Sequence, residues 1–492
     1  MDNELYAACL VGLGIAIGVA GAFAVAQKRR RARGGRQQQG ASVVGLVRSH
    51  FLPISLDSIS VTERKFPFRV RADLQRAIDQ LFGEATVVEH FCGVRKEYSD
   101  EGITLSDCFV ESQHSHAVSV PPQYEEVDVG DAEPVRCLKN GLWFLRRNEV
   151  KFVVLLGPAG KYGQITGVLF QIGTPNTPEG TQVSAQFFKH LEDSVLKAES
   201  YRGKILSLEE AEHSYSGESS GVRVHKLRTV DRDQVILSQE TLALLERNVI
   251  SFVKQRPQLA KYQLSTKKGI LFYGPPGTGK THTIHYLARA LPGHTTLLVT
   301  AEQVGLLSEY MTLARLLQPS IVVIEDVDLI ARDRAELNTC EEVLLNKLLN
   351  EMDGLREDAD ILFILTTNRP EQLEQALASR PGRIDQAIEF GLPDAEAREK
   401  LVVLYSRGVE VRAEVRQRIV ARTEKVSAAF IKELMRRAVQ FHLERNGAVC
   451  VELADVDSAL NEMLFSGGSL NLKLLGGVGV DSSRSEYSNS PE

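Results

Sequence analysis

Nowhere in this sequence do two cysteines form a C-x-x-C pair; Cys9, Cys92, Cys108, Cys137, Cys340 and Cys450 are scattered. That pattern argues against a disulfide framework and suits reduced thiols in a cytosol-like compartment. His90 near Cys92, and His114 with His116 near Cys108, read as ordinary surface or core residues rather than a metal site. No H-E-x-x-H occurs anywhere, which removes the zinc-peptidase helix. A net charge of only −6 makes no case for bulk nucleic-acid binding. Tryptophan occurs once, as Trp143 within Gly141-Leu142-Trp143-Phe144-Leu145, and is expected in a core. What remains is an ordinary globular composition, 43% hydrophobic and 25% charged over 492 residues, enough for about three domains.

Charge is also missing from Leu5 to Ala26. As a helix these roughly 22 residues would extend about 33 Å, the thickness of a bilayer core. Asp2 and Glu4 precede the run and Lys28-Arg29-Arg30-Arg31-Ala32-Arg33 follow it at once. The positive-inside rule then sets the N-terminus outside and the rest of the chain on the cytoplasmic, or matrix-like, side. A cleaved signal peptide would carry its positive charge before the apolar run, not after it. Gly14, Gly18 and Ala22 form a small-residue stripe suited to packing against another helix. The basic cluster suits anionic headgroups, so the lipid bilayer is one expected partner and nucleic acid is not.

Residues 27–50 read as a basic flexible linker, with three glutamines and three glycines between Gly34 and Gly40. Residues 51–220 read as an α+β middle domain. In it Ala72 to Phe82 and Val183 to Ala198 have helical periodicity, and Phe152–Leu156 and Ile165–Ile172 read as strands. Gly157-Pro158-Ala159-Gly160-Lys161 is glycine-rich but lacks phosphate-loop spacing, and is expected to be a strand-joining turn. The Glu, Ser and Gly-rich stretch from Glu209 to Gly221 marks the next boundary.

Beyond it lies the stretch on which the chemistry turns, Gly274-Pro275-Pro276-Gly277-Thr278-Gly279-Lys280-Thr281, which fits G-x-x-x-x-G-K-[ST]. An apolar run, Gly269 to Tyr273, precedes it, and a helical pattern from Thr281 to Leu291 follows. In that context successive backbone N–H groups wrap a β-phosphate and a helix N-terminus points at it. Lys280 would reach the β- and γ-phosphates of ATP, and the Thr281 hydroxyl would ligate Mg²⁺, with His282 beside it at the cofactor. Thr295–Val299, Ile321–Ile324 and Ile361–Leu365 are continuous apolar runs, as expected of parallel strands covered on both faces. Glu325-Asp326 closes the second of them. One carboxylate there can hold the Mg²⁺ shell, in Glu325's case through water, and its neighbour can orient an attacking water; the plainer alternative is an acidic helix cap.

Five segments come in order: Gly274–Thr281, Ile321–Asp328, Leu349–Gly354, Thr366–Pro370 and Ser379–Asp385. Together they resemble the AAA family of ring-forming ATPases, over roughly residues 225–465. With the anchor and middle domain, the layout is similar to mitochondrial Bcs-type assembly translocases and to single-pass bacterial AAA proteins. The resemblance implies an α/β P-loop NTPase domain at 221–393, a helical lid at 394–465 and a flexible tail at 466–492. It further implies that Asn368 is the sensor at the γ-phosphate or the water, and that Arg380 and Arg383 are arginine fingers reaching a neighbouring subunit's nucleotide. A homo-oligomeric ring, hexameric or heptameric, and a protein client are implied as partners. A fused FtsH-like protease is excluded by the missing zinc motif.

Two departures stand out. The usual order at the strand end is Asp then Glu, and here it is Glu325 then Asp326. Bcs-type proteins share that reversal. Between Thr300 and Pro319, Leu307 to Leu317 define a helix, so only Ala301 to Gly305 remain for a pore loop, without an aromatic. Near Val426–Phe430 the lid carries no arginine, which is typical of the AAA group. The expected function is a membrane-anchored ATPase that remodels or assembles a protein client; the alternative is an ATP-binding membrane scaffold with negligible turnover.

Overall fold

The computed structural model describes residues 42–466 except 85, 97–101, 112–116, 162–163, 210–220, 331–347, 349, 353, 355, 357–358, 372–382 and 447–449. The expected membrane helix at 5–26, Arg380 and the tail beyond 466 lie outside the described residues. Among the described residues no helix is long and apolar enough to cross a membrane.

The chain begins with a correction. Val43–Phe51 is a helix, with Val43, Val44, Val47 and Phe51 fully buried, so the linker expected to run to residue 50 ends by 42. The middle domain is an antiparallel sheet of β1 (Ile59–Pro67), β2 (Val87–Lys96), β3 (Ala117–Val120), β4 (Gln123–Val127), β5 (Val135–Arg147), β6 (Val150–Lys161) and β7 (Gln164–Pro175). Its order is β1-β7-β6-β5-β2-β3, with β4 also on β5. Helices Arg71–Glu84 and Pro178–Lys197 supply Leu74, Ile78, Phe187 and Phe188 to one face. Helices Val43–Phe51 and Leu105–Phe109 cover the other. Trp143 is buried and stacks on Phe91 with centroids 5.0 Å apart. Gly157 to Lys161 is not a turn: it completes β6, paired with β7.

The second sheet has the order β14-β10-β13-β12-β11-β8-β9. Its strands are β8 (Ile205–Leu208), β9 (Val222–Val224), β10 (Lys268–Tyr273), β11 (Thr295–Val299), β12 (Ser320–Ile324), β13 (Ile361–Thr367) and β14 (Gln386–Glu389). From β14 to β8 every neighbour is parallel, and β9 alone is antiparallel. β12 and β13 are buried at every position, because helices cover both faces. β8 is a second correction, since it precedes the boundary expected near 220 and yet pairs with β11 through Thr296↔Ile205 and Leu297↔Leu206.

The two sheets share a core. Ala72, Val127, Val129 and Cys137 of the first pack with Leu206, Leu307 and Tyr310 of the second. Asp73 Oδ1 accepts from the Ser200 N–H at 2.9 Å, and Lys204 Nζ donates to Val129 O at 2.6 Å. Beyond β14, helices Ala395–Tyr405, Ala413–Arg422, Ala428–Asn446 and Leu453–Asn461 form the lid around Leu401, Phe430, Leu434 and Val456. Asp394 caps the first of them, its Oδ1 accepting from the Ala397 N–H at 2.7 Å.

Candidate active site

In a doubly wound parallel sheet, ligands bind beyond the carboxyl ends of the strands where the strand order reverses. Here β10 lies between β13 and β14, and the phosphate loop leaves its carboxyl end. Two glycines of that loop are dictated by geometry. Gly274 has φ 144, and a Cβ on it would lie 2.3 Å from Phe390 O. Gly277 has φ 75, and a Cβ there would meet Ala429 Cβ at 2.8 Å and Ser427 Oγ at 3.0 Å, both on the lid. The Thr278 hydroxyl closes the loop on Pro275 O at 2.9 Å. Lys280 opens helix Lys280–Ala290 and is buried.

The Lys280 ammonium donates to Gly274 O at 2.7 Å, Pro275 O at 3.0 Å and Asn368 Oδ1 at 2.8 Å. Burial brings its pKa down to about 8, against the opposing pull of Asp326 and Asp328. Asn368, just past the end of β13, turns its Nδ2 to Asp326 Oδ1 at 2.9 Å. The Thr281 hydroxyl donates to Glu325 Oε1 at 2.8 Å. Asp326 sits in the left-handed region, φ 50, and its N–H donates to Thr366 Oγ1 at 3.0 Å. That backbone turn sends the two adjacent carboxylates to different partners. Glu325 goes to the hydroxyl of the phosphate-loop helix and Asp326 to the Asn368 amide.

A cavity of about 380 Å³ opens over this group. Pro276 to Thr283, including His282, line it with Asp326, Thr366 and Asn368. A strap from Gln234 to Leu237, together with Leu401, Tyr405 and Ala428 of the lid, makes an apolar end. His282 Nε2 lies 3.2 Å from Gln234 O, tying the phosphate-loop helix to the strap. The Ala429 N–H donates to Gly277 O at 3.1 Å, so the lid sits directly on the loop. Phosphate, base and metal all find matching surfaces here. The N–H-rich loop and Lys280 suit phosphate, and the strap and lid suit an apolar base. Thr281 with Glu325 suits Mg²⁺, which takes one or two protein oxygens and fills its octahedron with phosphate and water.

Arg383 does not join this group. It lies beside Gly269, where a Cβ would fall 2.1 Å from Arg383 O, at the entry of β10. The phosphate loop follows the exit of that strand, roughly 17 Å away along five strand steps. Sequence reasoning missed Asp328, which is 3% exposed; its Oδ1 accepts from Thr367 Oγ1 at 2.9 Å and from the Asn368 N–H at 3.1 Å. It fixes the end of β13, and its only signal was a third acidic residue in Glu325-Asp326-Val327-Asp328. The strap and the lid residues Leu401, Tyr405 and Lys432 had no local signal at all.

Residues 270–392 match the family described as "ATPase family associated with various cellular activities (AAA)". The chain is 32% identical over 235 residues to the ATP-dependent zinc metalloprotease FtsH of Mycoplasmopsis pulmonis, covering 44% of this chain and 32% of that protein. It is 32% identical over 230 residues to the proteasome-activating nucleotidase of Methanosphaerula palustris, covering 44% and 55%. A third relative is the chloroplastic ATP-dependent zinc metalloprotease FTSH 6 of Arabidopsis thaliana, 30% identical over 233 residues, covering 44% and 33%. The chain thus spans between about a third and about half of these relatives' own length. It carries an ATPase domain of the AAA family.

Proposed function

We propose that this protein is a membrane-anchored AAA ATPase that assembles into a ring and spends ATP hydrolysis on remodelling or assembling a protein client. The observation that carries the reading is the convergence of Lys280, Thr281, Glu325, Asp326 and Asn368 at one strand edge under a lid. ATP would lie with its phosphates on the loop and its base in the slot of Val235, Ile236, Leu237, Leu401 and Tyr405. Thr281 and Glu325 would hold Mg²⁺, which supplies neutralisation of charge on the β- and γ-oxygens. Asp326, held toward the sensor, would take the proton of the attacking water, and Asn368 would position that water.

A ring is what the resemblance of Ser379–Asp385 to the arginine-finger segment implies, and the Arg383 backbone, at the entry of β10, stands away from its own phosphate loop. The zinc-protease activity in two relatives' names does not extend to this chain, which contains no H-E-x-x-H. Nor does gripping by an aromatic pore loop suit it. Ala301–Leu306 is a tight 3₁₀ turn, and its Gln303 is tied to Leu208 O at 2.9 Å and to the Tyr310 hydroxyl at 2.8 Å. A client handled without threading fits that arrangement better. The anchor rests on the uncharged run from Leu5 to Ala26 and its basic flank.

The test is turnover and location together. Full-length protein should remain in membranes after an alkaline carbonate wash, hydrolyse ATP once purified in detergent, and lose both binding and turnover in Lys280→Ala. The alternative is an ATP-binding scaffold, and the reversed Glu325–Asp326 pair is where the two readings part; purified oligomer that binds ATP and does not turn it over would establish the scaffold instead. Full-length protein that washes off freely would remove the anchor.

A further inference from the structure

Two strand ends meet beside the cavity, Glu325-Asp326-Val327-Asp328 after β12 and Thr366-Thr367-Asn368 at the end of β13. The register of β12 on β13 stops at Ile324↔Leu365. Glu325 still follows the ladder on the other side, its N–H donating to Val299 O at 3.0 Å. One residue later the pattern breaks. The Asp326 backbone turns left-handed, φ 50, and its N–H donates to a side chain, Thr366 Oγ1, at 3.0 Å. Successive strand residues point to opposite faces, and the two threonines divide accordingly. Thr366 lines the cavity with Asn368, while the Thr367 hydroxyl turns to Asp328 Oδ1 at 2.9 Å.

We propose that Thr366 is the positioning residue for Asp326: its hydroxyl oxygen holds the Asp326 backbone in the turn that aims the carboxylate, and so sets the rate of ATP hydrolysis rather than nucleotide affinity. The inference rests on Asp326 acting as the base. An aspartate is one methylene shorter than the glutamate usual at this place, so the backbone has to bring its carboxylate to the water. A left-handed backbone is uncommon in a residue with a Cβ, although Asp is among those that adopt it. Such a conformation persists where its surroundings hold it. Here the N–H is held by Thr366 Oγ1, and Oδ1 accepts from Asn368 Nδ2 at 2.9 Å. Asn368 is itself fixed, its N–H on Asp328 Oδ1 at 3.1 Å and its own Oδ1 taking the Lys280 ammonium at 2.8 Å. Thr366 is 2% exposed, so its oxygen is part of the packed strand end. Without that oxygen the Asp326 N–H has to find another acceptor, and the turn moves with it.

The experiment measures single-turnover ATP hydrolysis, and affinity for a non-hydrolysable ATP analogue, on full-length protein. It compares wild type, Thr366→Val, Thr366→Ser, Asp326→Asn and the double variant of Thr366→Val with Asp326→Asn. Valine keeps threonine's branched shape and strand preference and removes the oxygen, whereas serine keeps the oxygen. Expected in Thr366→Val is hydrolysis slowed about ten- to hundredfold, the range for one orphaned buried donor, with affinity within about twofold of wild type. Thr366→Ser should recover most of the rate, and the double variant should be no slower than Asp326→Asn alone. A change that merely loosened the strand would lower affinity together with rate and would add to the effect of Asp326→Asn. That pattern, no slowing in Thr366→Val, or no recovery in Thr366→Ser overturns the proposal, while a slow Asp326→Asn leaves the base standing. An Asp326→Asn rate equal to wild type overturns both.

Discussion

Replacing Asp326 with asparagine separates proton acceptance from every other task of that side chain. The backbone at Asp326 is left-handed, φ 50, a conformation that Asn adopts as readily as Asp, so the variant carries no new strain. The introduced amide keeps an oxygen for the Asn368 Nδ2 donor now 2.9 Å from Oδ1, and the N–H bond to Thr366 Oγ1 is untouched. What disappears is a group able to take a proton from water. General-base assistance is worth about 10²–10⁴ in rate. Asp326→Asn should therefore keep ATP affinity within a few-fold of wild type and slow single-turnover hydrolysis by about that factor. Glu325→Gln should behave differently, because Glu325 faces the Thr281 hydroxyl at 2.8 Å: it should weaken Mg²⁺-dependent binding first. Single-turnover rates and nucleotide affinities with and without Mg²⁺, on both variants, separate the two roles. Unchanged hydrolysis in Asp326→Asn would refute the assignment of the base to Asp326.

Further outcomes are expected at Lys280 and Arg380. With its pKa near 8, well below the 10.5 of a free lysine, Lys280 loses its charge in the empty site as pH rises through 8, so ATP affinity should fall about tenfold between pH 7 and pH 9, with proton uptake on binding. The same shift makes the empty protein gain stability from about pH 8 to 10.5, where only the unfolded chain still holds that proton; buffer-dependent calorimetry and melting curves read both, and an affinity flat across that range would contradict the burial of Lys280. Arg380→Ala should leave binding nearly intact and cut turnover by about 10³, and mixing it with Lys280→Ala subunits should restore part of the activity; no recovery in verified mixed rings would remove the case for action on a neighbour's site.

Much of this was legible before any folding, because its signals are local. The phosphate loop is contiguous, its two constrained glycines sit within four residues, and the flanking strand and helix occupy Lys268–Tyr273 and Lys280–Ala290 close to where periodicity put them. The continuous apolar runs of β11, β12 and β13 announced a sheet covered on both faces. Glu325 and Asp326 were visible as a pair, but their division of labour was not. It depends on a positive φ at Asp326 and on partners about 40 residues away in either direction along the chain, Thr281 and Asn368.

Tertiary structure alone decided the rest. Ile205–Leu208 is four residues, too short to show a period of its own, and its parallel pairing with β11 moves it across the expected boundary. Helix Val43–Phe51 followed a basic, glycine-rich stretch and was read as linker, yet its apolar stripe is buried against β5 and β6. The base slot brings Val235 to Leu237 together with Leu401 and Tyr405, and Lys432 reaches the same cavity from the lid. No window of sequence spans residues so far apart. Local chemistry is written in consecutive residues, because backbone wrapping and strand–turn–helix geometry act over a few bonds. Which distant side chains share a cavity is set by sheet order and by the lid's packing on Gly277, and those arise only when the chain closes on itself.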